Sequence, residues 1–541
     1  METKEQGLVI RAAGLLMVVQ VLSRVLGYAR DVVMVNIFGA DFATDAWNAA
    51  FLIPDTLYQV LIGGAIGSAL IPVFSSYINN DQVEEGWKAN SVFSSWFMLI
   101  LTILLLLSCI FTEPLLRLIT DFGAEEMPLP IALTRITLVQ AFFMAISAIA
   151  TGLLQSYKHF FWPAVGSLLY NIVILFCGVL LVGPIEAIWP GYGIASFSVG
   201  VVVGAFFTLV VQLPMLKKVG FRFCFSLDRH NQGMRKMVKL LLPVVIGLSV
   251  TKLNIFVTQK LATGLEDGIY TLLLTANRFM QLPLGVFAVS IATAIFPSMS
   301  AQAAQGQIEE MKGSISMGVR NILFVLLPSS VGLVLLREPI IRLLYEFSGQ
   351  FTPADTTAAG DALFYYCLGL VFYGTVTVFI RGFYAMQDTK TPILVSVACI
   401  AVNIIFSLLL VGPMGHCGLA LAYSLAGLVQ CLATLFVLRR KIGPMGLRSI
   451  LTCVSKTVFA CLLMGIVVWG IIAASDTLLG VNSKLSQLLQ VVLGVGVGVS
   501  VFFVVAWLLE MDELETLAGR LVSKLRQKNG DDLNEEEFTD E

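Results

Sequence analysis

The sequence predicts an all-α integral membrane protein of about fourteen transmembrane helices, built as two six-helix lobes of the same topology followed by two C-terminal helices. Three observations predict it. The 541-residue chain is 57% hydrophobic and only 13% charged, with a mean hydropathy of +0.86, whereas soluble domains carry about 25% charged residues. Apolar runs long enough to cross a bilayer succeed one another along nearly the whole chain. Short motifs also recur in the same order at offsets of 225 to 229 residues.

A helix crossing ~30 Å of hydrocarbon needs about 20 apolar residues. Runs of that kind lie near 8–36, 43–78, 89–112, 129–154, 163–183, 192–216, 238–262, 269–298, 317–337, 361–386, 392–412, 417–438, 454–474 and 486–509. The second and eighth are longer than one crossing and hold Pro54, Pro72, Pro283 and Pro297, which predicts kinked or extended helices there. The first run starts near Gly7 and passes Arg24 without a small-residue cleavage site, so it reads as a span and not as a removed leader. The net charge of −2 says little, because the charges are segregated along the chain.

Orientation follows from the basic residues of the connections. Between the sixth and seventh runs stand Lys217, Lys218, Arg222, Arg229, Arg235, Lys236 and Lys239 against the single acid Asp228; Arg439, Arg440, Lys441 and Arg448 follow the twelfth. Connections of the other parity are poor in basic residues or carry Glu125, Glu126, Glu186, Glu266, Asp267 and Asp355. Both termini are therefore expected on the cytoplasmic side. The stretch from Glu510 to Lys528 reads as amphipathic and suited to a membrane surface, and Asp531 to Glu541 as an acidic, disordered tail.

The repeat organises the rest. Glu113-Pro114-Leu115-Leu116-Arg117-Leu118 recurs as Glu338-Pro339-Ile340-Ile341-Arg342-Leu343, and Pro72 recurs as Pro297, both 225 residues later. Leu181-Val182-Gly183-Pro184 recurs as Leu410-Val411-Gly412-Pro413 after 229. Such an offset covers six helices, so the copies share one topology, with a cavity expected between them. The domains expected are an N-lobe over 1–216, a basic cytoplasmic linker over 217–237 and a C-lobe over 238–438. Helices 13 and 14 occupy 439–509, and the amphipathic segment and tail 510–541.

Enzyme signatures are missing. There is no Walker A sequence, and His159, His230 and His416 are not spaced as metal ligands. Nine scattered cysteines form neither a disulfide framework nor a zinc pattern and read as apolar packing residues. The small-residue run Gly63–Ala69 reads as close helix packing or as a hinge. No cofactor is expected beyond a possible coupling cation, for which Asp388 is the candidate; Asp361 is the other acid near the second lobe's spans.

The chemistry-bearing groups are basic residues within apolar helices: Arg24 and Arg30 in the first span, Lys252 in the seventh and Arg278 in the eighth. A charge at the bilayer centre costs at least ~2.5–3.5 kcal/mol on insertion scales, so such groups face a cavity or a partner. Two readings stand open. These groups form an anion site suited to phosphate oxygens, or they are paired internally with Asp31, Asp45 or Asp55 and pin helices together.

Ser23-Arg24-Val25-Leu26-Gly27-Tyr28-Ala29-Arg30-Asp31, Phe38-Gly39-Ala40, Ala43-Thr44-Asp45-Ala46, Ile53-Pro54-Asp55 and Ile71-Pro72-Val73-Phe74 closely resemble the opening of the lipid II flippases, the MurJ/MviN family. Ala276-Asn277-Arg278, Leu282-Pro283-Leu284-Gly285-Val286, Phe296-Pro297-Ser298, Arg381-Gly382-Phe383-Tyr384-Ala385 and Asp388-Thr389-Lys390-Thr391-Pro392 fit the same pattern. The resemblance implies the fold of the multidrug/oligosaccharidyl-lipid/polysaccharide exporter superfamily. It implies transfer of lipid II, an undecaprenyl diphosphate bearing a disaccharide-pentapeptide, to the outer leaflet of the bacterial plasma membrane for peptidoglycan synthesis. By similarity Arg24, Arg30 and Arg278 stand at functional arginines, and Asp45 at a functional acid. The chain departs from the pattern at Tyr58 and Gln59, where many members carry a basic residue, and at Asn277 and Gln281, where acids often flank the arginine.

Three other readings are weighed against this one. A flippase for another lipid-linked oligosaccharide or a cation-coupled multidrug exporter would share the fold, although the exporter would want cavity acids that are scarce here. A non-transporting scaffold for cell-wall synthesis proteins would depend on the 217–239 linker and not on the arginines. A membrane enzyme acting on polyprenyl phosphates lacks a paired Asp or His motif.

Overall fold

The computed structural model describes residues 2–60, 69–478, 480 and 483–514. Its helices are α1 (Glu2–Phe38), α2 (Phe42–Tyr58), α3 (Ile71–Asn79), α4 (Val83–Ile110), α5 (Thr112–Ile119), α6 (Pro128–Ser156), α7 (Phe161–Ile188), α8 (Ala195–Lys218) and α9 (Gln232–Thr263). There follow α10 (Ile269–Pro283), a π-wound turn (Leu284–Ala288), α11 (Val289–Ala304), α12 (Ile308–Leu335), α13 (Arg337–Tyr345), α14 (Pro353–Ala385), α15 (Lys390–Met414), α16 (His416–Ile442), α17 (Leu447–Leu478) and α18 (Lys484–Leu508). Among the described residues 11 stretches are long and apolar enough to cross a membrane, α10 to α11 counting as one. The first and seventh expected spans are α1 and α9, of 37 and 32 residues. The second is α2 and α3, on either side of residues 61–68. Those residues lie outside the described ones and take most of the Gly63–Ala69 run with them.

The chain is thus an all-α multi-pass membrane protein, and its element order shows the duplication. The short helix α5 carries the first copy of the Glu-Pro motif between α4 and α6, and α13 carries the second between α12 and α14. Each keeps its own Glu–Arg pair, Glu113 to Arg117 at 2.9 Å and Glu338 to Arg342 at 3.8 Å. The proline-rich spans behave alike too. Past Pro54 the winding loosens at Gln59, and past Pro283 it becomes the π turn. A proline inside a helix removes one hydrogen-bond donor and crowds the carbonyl four residues back, and a π turn accommodates the defect.

The chain divides into two compact units, Met1–Leu272 with Tyr345–Thr352, and Leu273–Leu344 with Pro353–Glu541. This division records packing, whereas the sequence repeat records duplication, and the two boundaries need not coincide. In the first unit Phe74, Trp87, Phe93, Leu101, Leu153 and Leu154 form the main core. Helices α7 and α8 meet through small residues: a methyl group on Gly178 would stand 2.5 Å from the Phe197 ring, and one on Gly204 3.0 Å from the Tyr170 carbonyl. In the second unit α12, α17 and α18 share a core of Phe324, Cys461, Met464 and Phe502. The start of the expected surface segment packs here as well. Met511 and Glu513 are buried, and Glu513 accepts from Arg320 at 2.9 Å; residues 515–541, with the acidic tail, lie outside the described residues. All nine cysteines are free thiols, and only Cys224 is exposed.

One glycine is dictated by its surroundings. Gly268, just before α10, has φ +81°, and a Cβ there would lie 2.1 Å from the Ala40 carbonyl oxygen. Both the left-handed backbone and the close approach exclude a side chain. Gly268→Ala is expected to cost about 1–3 kcal/mol and to lower the melting temperature of the detergent-solubilised protein. An unchanged melting curve would show that the 264–268 loop can move away from Ala40.

Candidate functional site

The cations expected to form an anion site meet different fates. In the first unit Arg30 bonds its chain neighbour Asp31, Nη2 to Oδ1 at 2.8 Å and Nε to Oδ1 at 3.0 Å. The guanidinium lies 5.7 Å from the Trp47 ring centre. Asp31 is buried and Arg30 half-buried, at 6% and 16% side-chain exposure, so this is a neutralised pair. Lys252 is buried as well, and its Nζ donates to Asp55 Oδ2 at 2.9 Å. Asp55 also accepts from the Gln59 amide at 2.9 Å. Lys252 therefore brings to Asp55 the positive charge that Tyr58 and Gln59 lack.

Asp45 is 1% exposed, and both its oxygens are engaged. Oδ2 accepts from the Gly268 N–H at 2.9 Å; Oδ1 accepts from the Thr271 N–H at 2.7 Å and the Thr271 hydroxyl at 2.6 Å. The carboxylate sits in the first turn of α2 and at the N-terminus of α10, where two helix dipoles and otherwise unpaired N–H groups favour a negative charge. Asp41 caps α2 itself, accepting from the Phe42 N–H at 2.7 Å.

Arg24 differs. It is exposed, it has no ion-pair partner among the described residues, and its neighbours Val21, Leu22 and Val25 are exposed too. The preceding Ser23 is buried and locks α1 to α7 through the Ser167 hydroxyl at 2.9 Å and the Asn171 amide at 3.2 Å. The backbone of α1 is thereby held at the residue next to the lone arginine.

In the second unit Arg278 is half-buried on α10, and the neighbouring Asn277 amide oxygen accepts from Gln281. Arg381, on α14, lies 5.4 Å from the Phe296 ring centre with no carboxylate partner among the described residues. Asp388 lies between α14 and α15. It accepts from the Thr391 N–H at 3.0 Å and hydroxyl at 2.7 Å and pairs with the Lys441 ammonium. A cation bound to this carboxylate would have to displace Lys441. No cluster of three or more potential metal ligands occurs among the described residues.

Sequence reasoning missed an uncharged site. A cavity of about 400 Å³ in the first unit is bordered by Ser23, Tyr58, Ser147, Thr151, Tyr170 and Gln212, among others. Its donors and acceptors are interlinked, Gln212 taking a bond from Thr151 at 3.0 Å and giving one to Ser147 at 2.7 Å. The signal available was Ser147, Thr151 and Gln155 at four-residue spacing in an apolar helix, a polar stripe without charge.

The Asp45 and Asp388 bonds make separate predictions. Asp45→Ala leaves two N–H groups without an acceptor, at about 1–3 kcal/mol each, and is expected to lower the melting temperature more than Asp45→Asn. Lost activity in Asp45→Asn with an unchanged melting temperature would instead place Asp45 against the substrate. Asp388 is held well below the usual carboxylate range, first by the Lys441 hydrogen bond and then by those from Thr391. A carboxylate so depressed stabilises the fold fully above the unfolded value of about 3.9 and loses that effect only as pH falls through the lower folded value. The melting difference between wild type and Asp388→Asn should therefore stay constant from about pH 7 to about pH 5; a decline over that window would contradict the pairing.

The profile of the family described as "Lipid II flippase MurJ" matches residues 34–490. A protein of Rhizobium meliloti named "Probable lipid II flippase MurJ" is 29% identical over 416 residues, covering 76% of this chain and 77% of that one. A solved structure titled "Lipid II flippase MurJ, inward closed conformation" is 27% identical with a TM-score of 0.75, covering 92% of this chain and 99% of that one. An inward-facing multidrug resistance MATE transporter of the MOP superfamily shares the fold, with a TM-score of 0.64 at 16% identity over 77% of this chain and 94% of that one.

Proposed function

The chain belongs to the lipid II flippase MurJ family, and from that membership we propose that it carries lipid II from the inner to the outer leaflet of the bacterial plasma membrane by alternating access. The lysines and arginines of the 217–239 and 439–448 connections support an orientation with both termini cytoplasmic. The substrate is moved and not chemically altered, so no catalytic residue is assigned.

The observation that carries the reading at residue level is Arg24. A cation in an apolar span, with no acid to neutralise it among the described residues, is poised to meet an anion from outside the fold. A diphosphate suits it, because the guanidinium fork matches phosphate oxygens and the contact strengthens as water is excluded. Arg278, half-buried on α10, is a second candidate because it stands at one of the family's functional arginines by resemblance. Arg30, Lys252 and Asp45 have their charges met within the protein, and in this reading they hold the helices that present Arg24. The membrane potential, negative inside, assists expulsion of an anion by about 2.3 kcal/mol per charge per 100 mV.

Arg24→Ala at matched expression is expected to reduce outward exposure of lipid II about tenfold or more, the loss of one to two charge-assisted hydrogen bonds. Arg24→Lys should fall between, because it keeps the charge without the fork. Lys252→Ala should instead lower thermal stability by stranding Asp55. Normal lipid II exposure in Arg24→Ala would remove the anion-site assignment.

A further inference from the structure

The connection from α8 to α9 holds a feature that topology alone does not require. Residues 219–230 form no helix and run along α4. The Cys224 N–H donates to Ser91 Oγ and the Ser226 N–H to Ser95 Oγ, each at 3.2 Å. Two residues of extended chain match one turn of helix in length, so alternate N–H groups are pinned to hydroxyls one turn apart. Alternate side chains of an extended segment share a face. Phe223, Phe225 and Leu227 are exposed at 50, 66 and 38%, whereas the Phe221 ring packs edge-on against the buried Trp87, their centres 5.7 Å apart. Three large apolar groups on one strap fit the boundary between lipid headgroups and acyl chains, where neighbouring basic residues can reach the phosphates.

Beside the strap lies a cavity of about 580 Å³ lined by Trp96, Arg229, Met234, Arg235, Val238 and Lys239. The Arg229 guanidinium stands 5.1 Å from the Trp96 ring centre, and Arg235 Nε donates to the Arg229 carbonyl at 3.1 Å. Arg229, Arg235 and Lys239 have no carboxylate partner among the described residues. The nearby acids are engaged elsewhere, Asp228 with the His230 N–H at 2.8 Å and Glu84 with Arg222 at 3.4 Å. The first turn of α9 contains no acid, so its positive dipole end adds to the three cations. The remaining walls are aromatic and aliphatic.

We propose that this cavity seats the phosphate headgroup of an anionic phospholipid, with the exposed phenylalanines of the strap set among its acyl chains. A free phosphate would account for the cations but not for the apolar walls or the exposed phenylalanines; a lipid accounts for both. In the orientation proposed above, the leaflet is the cytoplasmic one.

The test is native mass spectrometry of the detergent-solubilised full chain titrated with phosphatidylglycerol, with phosphatidylcholine of the same acyl chains, or with inorganic phosphate. The pocket variant R229Q/R235Q/K239Q is compared with K217Q/K218Q/R222Q, which removes three charges from the same connection outside the pocket. Wild type and the second variant should retain phosphatidylglycerol in preference to phosphatidylcholine. The pocket variant should lose that preference on the order of 100-fold, the effect of three basic groups at a membrane surface. Equal losses in both variants would reduce the effect to general attraction and overturn the site, as would unchanged binding in the pocket variant. Competition by millimolar phosphate as strong as that by the lipid would assign the pocket to a soluble anion. Equal melting temperatures of the two variants ensure that a lost adduct is not a lost fold.

Discussion

Every charge that this chain carries into hydrocarbon has to be answered, and the packing of the first unit follows from how each is answered. Arg30 is met by Asp31 beside it and by the face of Trp47, and Lys252 by Asp55 across from α9 to α2. A buried pair gains little net stability over an apolar substitute, but breaking one by removing a partner costs several kcal/mol, on the order of 3–5. A pair that joins two helices acts chiefly as a register pin, a role open to Lys252–Asp55 but not to Arg30–Asp31, which are neighbours on α1. The Lys252–Asp55 bond ties α9 to α2, and the Ser23 contacts tie α1 to α7. Against this background Arg24 stands out because no acid among the described residues pairs with it.

The same constraint governs the backbone. In lipid an unpaired N–H finds no water, so each helix start needs an internal acceptor. Asp45 serves α10 in this way, and the lack of a side chain on Gly268 lets the two segments approach closely enough for the carboxylate to reach. At an aqueous edge Asp388 does the equivalent for α15, with Lys441 balancing its charge. A carboxylate placed in or beside an apolar helix is thus not by itself a sign of ion coupling. Its partners decide whether it serves the fold or a ligand.

The fold was legible because hydrocarbon imposes a length and a composition, and each of fourteen apolar runs had to become a helix or part of one. The duplication was legible because the Glu-Pro motif and the prolines of the second and eighth spans mark local defects that recur, and those defects reappear as α5 and α13 and as loosened windings. The site was only half legible. Sequence shows that Arg24, Arg30, Lys252 and Arg278 are charges in apolar helices, but not which of them has a partner, because partners such as Asp55 for Lys252 lie 197 residues away. It also hides a polar cavity built from serine, threonine and glutamine, residues that pass unnoticed in a membrane helix because each can satisfy itself on the preceding turn.

The two C-terminal spans, which stand outside the repeat, have a physical place once each unit is considered alone. In the first unit Lys260 near the end of α9 donates to the Arg117 and Thr120 carbonyls, at 3.0 and 2.8 Å, closing the C-terminus of α5. In the second unit Lys484, the first residue of α18, donates to the Arg342 carbonyl of α13 at 3.1 Å. Arg117 and Arg342 are the same position of the repeat, 225 residues apart. A helix C-terminus with free carbonyls favours a cation, and each copy recruits one from outside its own six-helix set. The apolar side of the exchange is parallel, with Met237 of α9 joining the core that contains α4 in one unit, and α17 and α18 joining the core of α12 in the other. The chain that follows each copy thus closes the short helix and the span before it. A duplication that ended at α16 would have left α13 uncapped and the outer face of α12 bare, and α17 and α18 supply both the ammonium and the cover.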